Sequence, residues 1–396
     1  MRRAHIDKVT PGSKLGKTIY GDNYEVLLKQ GVTLGEGYIK QLINRGFMRV
    51  YIDDEETADI VFREPISDQT RIMATKDIIK TYKVTYDSAL NMDVGATESV
   101  ISGINSPRIR KSFHGGMAFK QLCDDVNFFL DEIIGLDVLS VPGMMKSFDN
   151  YRYEHSIDAA VVSLLIAKKL NLSRDKMEML AIGQMLHDIG MSFIDKKITN
   201  KPGKLTPEEF NIIKLHTVYG YELLKDAGKS GAVSCAHIPY QHHEWQNGGG
   251  YPRSLKGTNK VEMSSIAYVE EDKMVMFSEI VAIADFYDGC ISDRPYRKGL
   301  PPDLAYDIIK SGAGMQFNKE LVDCFLSVVP KYPVGYDVKI KGGVYNGFTG
   351  VVASINSHQL SKPKVLVLSD EKNKKIEPFE FDVSSRSAYA DLECIY

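Results

Sequence analysis

Ala181-Ile182-Gly183-Gln184-Met185-Leu186-His187-Asp188-Ile189-Gly190 ends an apolar helical pattern on an imidazole and a carboxylate. The pattern begins after Asn171-Leu172-Ser173, where Ser173 is placed to cap a helix over 174–186, and Gly190 stops it. A charged pair at the end of a buried helix is costly unless something neutralises it. A divalent metal does so, because it is itself the counter-ion. Working outward, His155 lies upstream and His216, His242 and His243 lie downstream, while Asp285 closes the apolar run Val281-Ala282-Ile283-Ala284-Asp285. Six of the nine histidines fall between positions 155 and 243, the sixth being His237. Taken singly, each would read as an ordinary core or surface histidine. Their order along one helical region points to a metal site. Imidazole and carboxylate donors without thiolate suit iron, manganese or zinc, and two such ions ~3.5–4 Å apart can clamp both oxygens of a phosphoryl displacement.

The rest of the chain is organised around this region. Its 396 residues suit two or three domains. Residues 1–64 read as a small α/β unit, with strands at 24–28 and 50–52 and a helix over 35–45 stopped at Gly46. Ile72, Ile78, Ile79 and Val84 predict a helix within 69–92. Gly95, Gly103, Pro107, Gly115 and Gly116 mark 95–116 as a linker, which makes 65–117 a helical connector and linker. Residues 118–330 are mainly helical. There Thr206-Pro207-Glu208-Glu209 is a capping box that opens a helix running to about Leu224. Residues 333–396 turn β-rich, with strands at 338–341, 350–355 and 364–368. The expected fold is mainly α, an all-helical domain between a small α/β N-terminal unit and a small β-rich C-terminal module.

Composition excludes several classes. Apolar residues are 43% and charged residues 26%, with a net charge of −3, so no global basic field draws the chain to a nucleic-acid polymer or an anionic membrane. An anionic substrate needs a local cationic site. The longest apolar stretch, near 159–167, falls short of the ~20 residues of a bilayer span. Ala4-His5-Ile6-Asp7-Lys8 is no signal-peptide core, and the five scattered cysteines form no Cys-x-x-Cys pair. These features place the chain in the cytoplasm.

The residues His155, His187-Asp188-Ile189-Gly190, His216, His242-His243-Glu244 and Gly250-Tyr251-Pro252 closely resemble the HD-GYP subclass of HD phosphohydrolases. The likeness continues through Ala284-Asp285-Phe286-Tyr287-Asp288, Ser292-Asp293-Arg294-Pro295-Tyr296-Arg297-Lys298 and Gly314-Met315-Gln316-Phe317, and spans about residues 118–330. It implies an all-helical HD-GYP catalytic domain that hydrolyses the 3′–5′ linkages of cyclic di-GMP to linear dinucleotide or GMP. His155, His187, Asp188 and Asp285 then match the ligands of the general HD site, with Asp188 bridging two metals. His216, His242 and His243 match the ligands of the second metal. Gly250, Tyr251 and Pro252 border the substrate, and Arg294 and Arg297 match positions that hold its phosphates. Two divalent ions are expected, iron or manganese first, with zinc, nickel and cobalt as alternatives. A homodimer and signalling partner proteins are further expectations.

Four departures bear on turnover. Met191 stands where the family has lysine. Trp245-Gln246-Asn247-Gly248 replaces Arg-x-Asp-Gly. Tyr151 replaces the glutamate that serves a third metal in some members, which argues against a third ion. Val269-Glu270-Glu271-Asp272-Lys273-Met274 reads as an insertion. Two other readings stay open: a cyclic-dinucleotide receptor that has lost turnover, and a phosphodiesterase for a different cyclic dinucleotide.

Overall fold

The structure is a computed structural model. It describes residues 1–61, 63–90, 92, 96–139, 150–201, 203–226, 232–263, 272–293, 298–385 and 389–395. The chain opens with strands β1 (Arg2–His5), β2 (Lys14–Leu15), β3 (Ile19–Tyr20) and β4 (Val26–Leu28), helix α1 (Glu36–Asn44) and strand β5 (Arg49–Asp53). β5 lies between β1 and β2, antiparallel to both, and β3 pairs with β4. Ile6, Leu15, Leu34, Leu42, Phe47 and Val50 pack beneath them as a small core of their own.

Helices follow: α2 (Asp68–Ala89), α3 (Thr97–Ile104), α4 (Pro107–His114) and α5 (Met117–Ile134). The stretch read as a linker at 95–116 is therefore mostly helix. Ser106 caps α4 by accepting from the Ile109 N–H, Pro107 takes the first helical position, and the glycine pair Gly115-Gly116 only separates α4 from α5. Val100, Ile104, Ile109 and Phe113 bury the helices against the main core.

The central region holds α6 (Tyr151–Lys169), α7 (Arg174–Met185), α8 (Lys196–Thr199), α9 (Pro207–Lys214), α10 (His216–Leu224), α11 (Ala232–Gln241), α12 (Met276–Ile291), α13 (Pro302–Ser311) and α14 (Lys319–Val328). Every residue of α6 from Glu154 to Ala167 is buried. α12 is almost as enclosed. A helix that is apolar on all sides belongs at the centre of a bundle, and α7, α12 and α14 pack around α6. Two glycines set the spacing near the site. A Cβ on Gly183 would meet Ile238 Cδ1 of α11 at 2.2 Å, and one on Gly190 would meet the His216 carbonyl at 2.0 Å.

The capping box at Thr206 forms, with Glu209 reaching back to the Thr206 N–H at 2.7 Å. The helix it opens does not run on to Leu224. The Leu215 N–H turns to Ile212 O at 3.1 Å, a tightened turn that separates α9 from α10 and re-aims His216.

Strands β6 (Asp337–Lys341), β7 (Thr349–Ser354), β8 (Lys364–Ser369), β9 (Lys375–Asp382) and β10 (Asp391–Cys394) form one antiparallel sheet in the order β10-β6-β7-β8-β9. It is tied to the rest by the Cys394 N–H on Asp303 Oδ2 at 3.1 Å and the Arg3 N–H on Gly335 O at 3.1 Å.

Candidate metal centre

Leu186-His187-Asp188 leaves the end of α7 and enters a tight 3-10 turn at Ile189–Phe193. Ile189 and Phe193 are buried and hold the turn down, so the side chains of His187 and Asp188 are presented between α6, α10, α11 and α12. His155 comes from the first turns of α6, His216 from the start of α10, His242 and His243 from just beyond α11, and Asp285 from α12.

All seven side chains meet. Asp285 Oδ1 lies 2.8 Å from His155 Nε2 and 3.3 Å from His187 Nε2. Asp188 lies between the two halves, its Oδ2 3.7 Å from His187 Nε2 and its Oδ1 3.3 Å from His216 Nε2. His216, His242 and His243 form one triad with donor atoms within 4.8 Å of one another. His155, His187 and Asp285 form a second, and His187, Asp188 and His242 link them. His155, His187, His216 and His242 are all buried.

The outer ring nitrogens explain the orientation. His187 Nδ1 donates to Gln184 O at 2.7 Å, His216 Nδ1 to Ile213 O at 2.7 Å, and His242 Nδ1 to Pro239 O at 2.9 Å. Each acceptor is a carbonyl in the last turns of a helix, where intrahelical partners run out. A ring that donates from Nδ1 keeps Nε2 as a bare acceptor. His216 Nε2 and His242 Nε2 then face each other at 3.4 Å, lone pair to lone pair. A cation between or beside them reconciles that contact. The donor set therefore fits a divalent metal.

The electrostatics divide the site. Burial opposes charge on every ring. At His155 the Asp285 and Asp288 carboxylates overcome it and push the pKa up to about 9. His187 is also raised against burial, by Asp188 and Asp285. On the other side, burial lowers His216, and burial with neighbouring imidazoles brings His243 down to about 4 and His242 well below its usual value. Asp188 and Asp285 are held well below the carboxylate range by the facing histidines, although burial acts the other way. One side offers carboxylates and the other offers three neutral imidazoles.

Glu244 and Asp288, quoted above only as part of the resemblance, and Arg152 also matter here. Asp288 follows Asp285 by three residues on α12, hence on the same face. It accepts from His155 Nδ1 at 2.6 Å and from Ser292 Oγ at 2.9 Å. Glu244, 1% exposed, accepts from the Arg253 N–H at 2.6 Å and the Leu255 N–H at 2.8 Å, so it fixes the following loop from behind. Arg152, one turn before His155 on α6, keeps its charge despite burial because Tyr151 and Asp188 face it. The i, i+3 spacing of Asp285 and Asp288 was a readable signal. Nothing in the sequence distinguished Arg152.

Tyr251 packs on His243 with ring centroids 4.7 Å apart, and its N–H donates to His243 O at 3.0 Å. The Tyr251–Pro252 peptide is cis. A Cβ on Gly250 would meet the His243 carbonyl at 2.3 Å, so the loop can lie this close only with glycine there. Arg294 and Arg297 lie outside the described residues, as does 269–271 of the suggested insertion. Met191 is partly buried against the main core. Trp245 is 38% exposed. His237 joins neither triad; its ring lies tilted against Tyr221, centroids 5.1 Å apart, and is lowered to about 4 by burial and Arg253.

Residues 146–266 match a family described as HD domain. A cyclic di-GMP phosphodiesterase of Pseudomonas aeruginosa is 30% identical over 230 residues, 58% of this chain and 51% of that protein. Another, from Thermotoga maritima, is 33% identical over 193 residues, 48% of this chain and 49% of that protein. A 3′3′-cGAMP-specific phosphodiesterase of Vibrio cholerae is 30% identical over 178 residues, 45% of this chain and 35% of that one. This chain thus spans about half the length of the first two relatives. A solved HDG"Y"P protein from Bdellovibrio bacteriovorus is 18% identical with a TM-score of 0.39, over 82% of this chain and 97% of that one. Among the described residues no helix is long and apolar enough to cross a membrane.

Proposed function

We propose that this chain, whose residues 146–266 are an HD domain, is a metal-dependent phosphodiesterase of the HD-GYP kind that hydrolyses the 3′–5′ linkages of cyclic di-GMP. The observation that carries this reading is the pair of donor triads on either side of Asp188. The relatives' names support the substrate class. His155, His187 and Asp285 would hold one divalent ion, His216, His242 and His243 a second, with Asp188 shared. Iron or manganese suits the donor set best, and Tyr151, where some members carry the glutamate of a third ion, favours two. Such ions supply an activated water and charge neutralisation at phosphorus.

The chain's own residues do the remaining work. Backbone carbonyls of Gln184, Ile213 and Pro239 aim three rings inward. Asp288 holds the proton on His155 Nδ1 and turns Nε2 to the centre. Tyr251 walls the side next to His243. Gly250 and Pro252 shape the same wall, and by the resemblance Arg294 and Arg297 would hold substrate phosphates. Arg152 lies within electrostatic reach of Asp188, and its guanidinium would meet the phosphate in place of the lysine that Met191 replaces; a fork of donors suits a phosphate oxygen pair. The cyclic dinucleotide is an intracellular messenger, which places the enzyme in the cytoplasm.

The test is elemental analysis and turnover on one anaerobic preparation. About two ions per chain and linear product from cyclic di-GMP are expected. Asp188→Ala should lose metal and activity together; parent-rate hydrolysis by that variant would refute the site. Arg152→Met should keep its metals and raise KM on the order of tenfold, the value of one charged phosphate contact. Met191 favours a second reading, a receptor that binds without turnover. Two ions and saturable nucleotide binding with no product would select it. A substrate panel that includes 3′3′-cGAMP separates the nucleotide classes.

A further inference from the structure

We propose that Phe210 and Lys214 of α9 form, with Tyr251, a subsite for the half of the substrate that does not react at the metals: Phe210 takes its base and Lys214 its phosphate. The inference rests on the cyclic-dinucleotide reading above. Such a ring carries two bases and two phosphates, so while one linkage is hydrolysed the other nucleotide must lie beyond the metal pair.

The helix that carries the two residues is fixed at both ends. At its start the capping box at Thr206 closes, and Lys201 Nζ donates to both Glu209 carboxylate oxygens, at 2.8 and 2.7 Å. At its end the Ile213 carbonyl accepts from His216 Nδ1 at 2.7 Å, so the backbone beside Lys214 is tied to a metal-donor ring. Phe210 and Lys214 are four residues apart and share one face of α9. That face meets the wall of the metal centre. The Phe210 and Tyr251 rings lie 6.2 Å apart, centroid to centroid, at 80° to each other, as two sides of a corner. The Lys214 ammonium lies over both, 4.9 Å from the Phe210 centroid and 5.5 Å from that of Tyr251. Tyr251 in turn packs on the donor ring of His243, 4.7 Å away. One line of rings therefore runs from the metal donors out to α9.

The residue types suit a nucleotide. Phe210 leaves 43% of its surface to solvent at the rim of the site, an apolar ring that a flat base can cover by stacking. Lys214 is partly buried, and its ammonium carries three donors. Its neighbours are the two ring faces and the exposed amide of Asn211, whose Oδ1 accepts at 3.3 Å. None of these is charged, so a phosphate oxygen arriving at Lys214 displaces an amide or water. A cation already held over two rings gives up little freedom when it binds an anion.

The experiment uses the metal-loaded full chain and compares the parent with Phe210→Ala and Lys214→Met, each at equal metal content and thermal midpoint. Calorimetry reads the affinity for a phosphorothioate analogue of cyclic di-GMP, chosen to turn over slowly. Steady-state kinetics read kcat/KM for cyclic di-GMP and for methyl para-nitrophenyl phosphate, a diester with no second nucleotide. Each variant is expected to weaken analogue binding about tenfold, the effect of one stacked base or one charged phosphate contact. Each should also lower the preference for the cyclic dinucleotide over the small diester by a similar factor. Lys214→Met should flatten the salt dependence of binding, which Phe210→Ala leaves as it is in the parent. If Lys214→Met unfolds, Phe210→Ala, at an exposed position, still decides. Unchanged affinities, or losses as large on the small diester as on the cyclic dinucleotide, overturn the subsite and leave the substrate assignment standing. A parent that hydrolyses the small diester, yet neither binds the analogue nor hydrolyses cyclic di-GMP, overturns the substrate assignment and the subsite with it.

Discussion

Asp288 and Glu279 are buried carboxylates on α12 with opposite consequences. Asp288 acts through another residue: it holds His155 Nδ1 at 2.6 Å and is itself held by Ser292. Partners of this kind are worth about 10–100-fold in metal affinity. Asp288→Asn is therefore expected to weaken metal binding by that factor at unchanged thermal stability, read by competition with a chelator. Parent-like affinity would strip Asp288 of a positioning role. Glu279, 7% exposed, accepts from Gln246 Nε2 at 2.6 Å and Asn318 Nδ2 at 3.1 Å, yet burial pushes it up to about 7. Its folded value thus lies above the unfolded one of about 4.3. Between the two, the native state keeps a proton that the unfolded chain has released. Stability falls as pH rises from about 4.3 to 7, by at most about 3.7 kcal/mol, and is flat above. Glu279→Gln should remove that slope, so the variant gains on the parent between pH 5 and pH 8 in denaturant titrations. Identical slopes in the two proteins would mean that Glu279 titrates normally. The seven clustered donors were legible because their types and order are unusual. The roles of Asp288 and Glu244 were not, because each acts on a neighbour that only the fold supplies.

Among the elements, the contact between the 3-10 turn and α10 is the tightest near the site. Gly190→Ala would press a methyl into the His216 carbonyl and the Gly220 N–H, 2.0 and 2.6 Å away. Backbone cannot yield as a side-chain tip does, so α10 must move and His216 with it. A loss of at least 2 kcal/mol in stability is expected, together with loss of one ion per chain by elemental analysis. Retention of both ions would show that α10 adjusts without moving His216. Helix and strand boundaries were read unevenly for physical reasons. The capping box at Thr206 is a local signal and forms. The break at Leu215 is imposed by where His216 must point, which no local pattern encodes. α3 and α4 were hidden by glycines that sit mostly between helices. β9 carries Pro378 and many charges; it tolerates both because it is an edge strand, as β10 is on the other side.

At the scale of the whole molecule, the modules meet through buried polar contacts. Arg71 of α2 donates to Asp158 of α6 at 2.6 Å, the two being 1% and 5% exposed. Arg71→Met alone should cost about 3–5 kcal/mol in urea unfolding, since it removes the guanidinium from a buried carboxylate, and adding Asp158→Leu should recover most of it. A cost under 1 kcal/mol would mean that water reaches Asp158. The N-terminal unit also touches the helix of the first ligand: Asn150 Nδ2 donates to Asp22 O at 2.6 Å, and the Tyr24 hydroxyl donates to Glu154 at 3.3 Å. Such pairings join residues more than a hundred positions apart, so composition and periodicity could not foretell them. The ring-to-carbonyl bonds of His187, His216 and His242 reach the same scale, because their acceptors lie on α7, α9 and α11. Folding has already spent the rotational entropy of those rings, so loading requires little more than shedding the water shell of the incoming ion. Chelation should empty the proposed centre without melting the bundle, and resupply should refill it. Which element resides there is then decided by the traffic of metals in the cell more than by the protein.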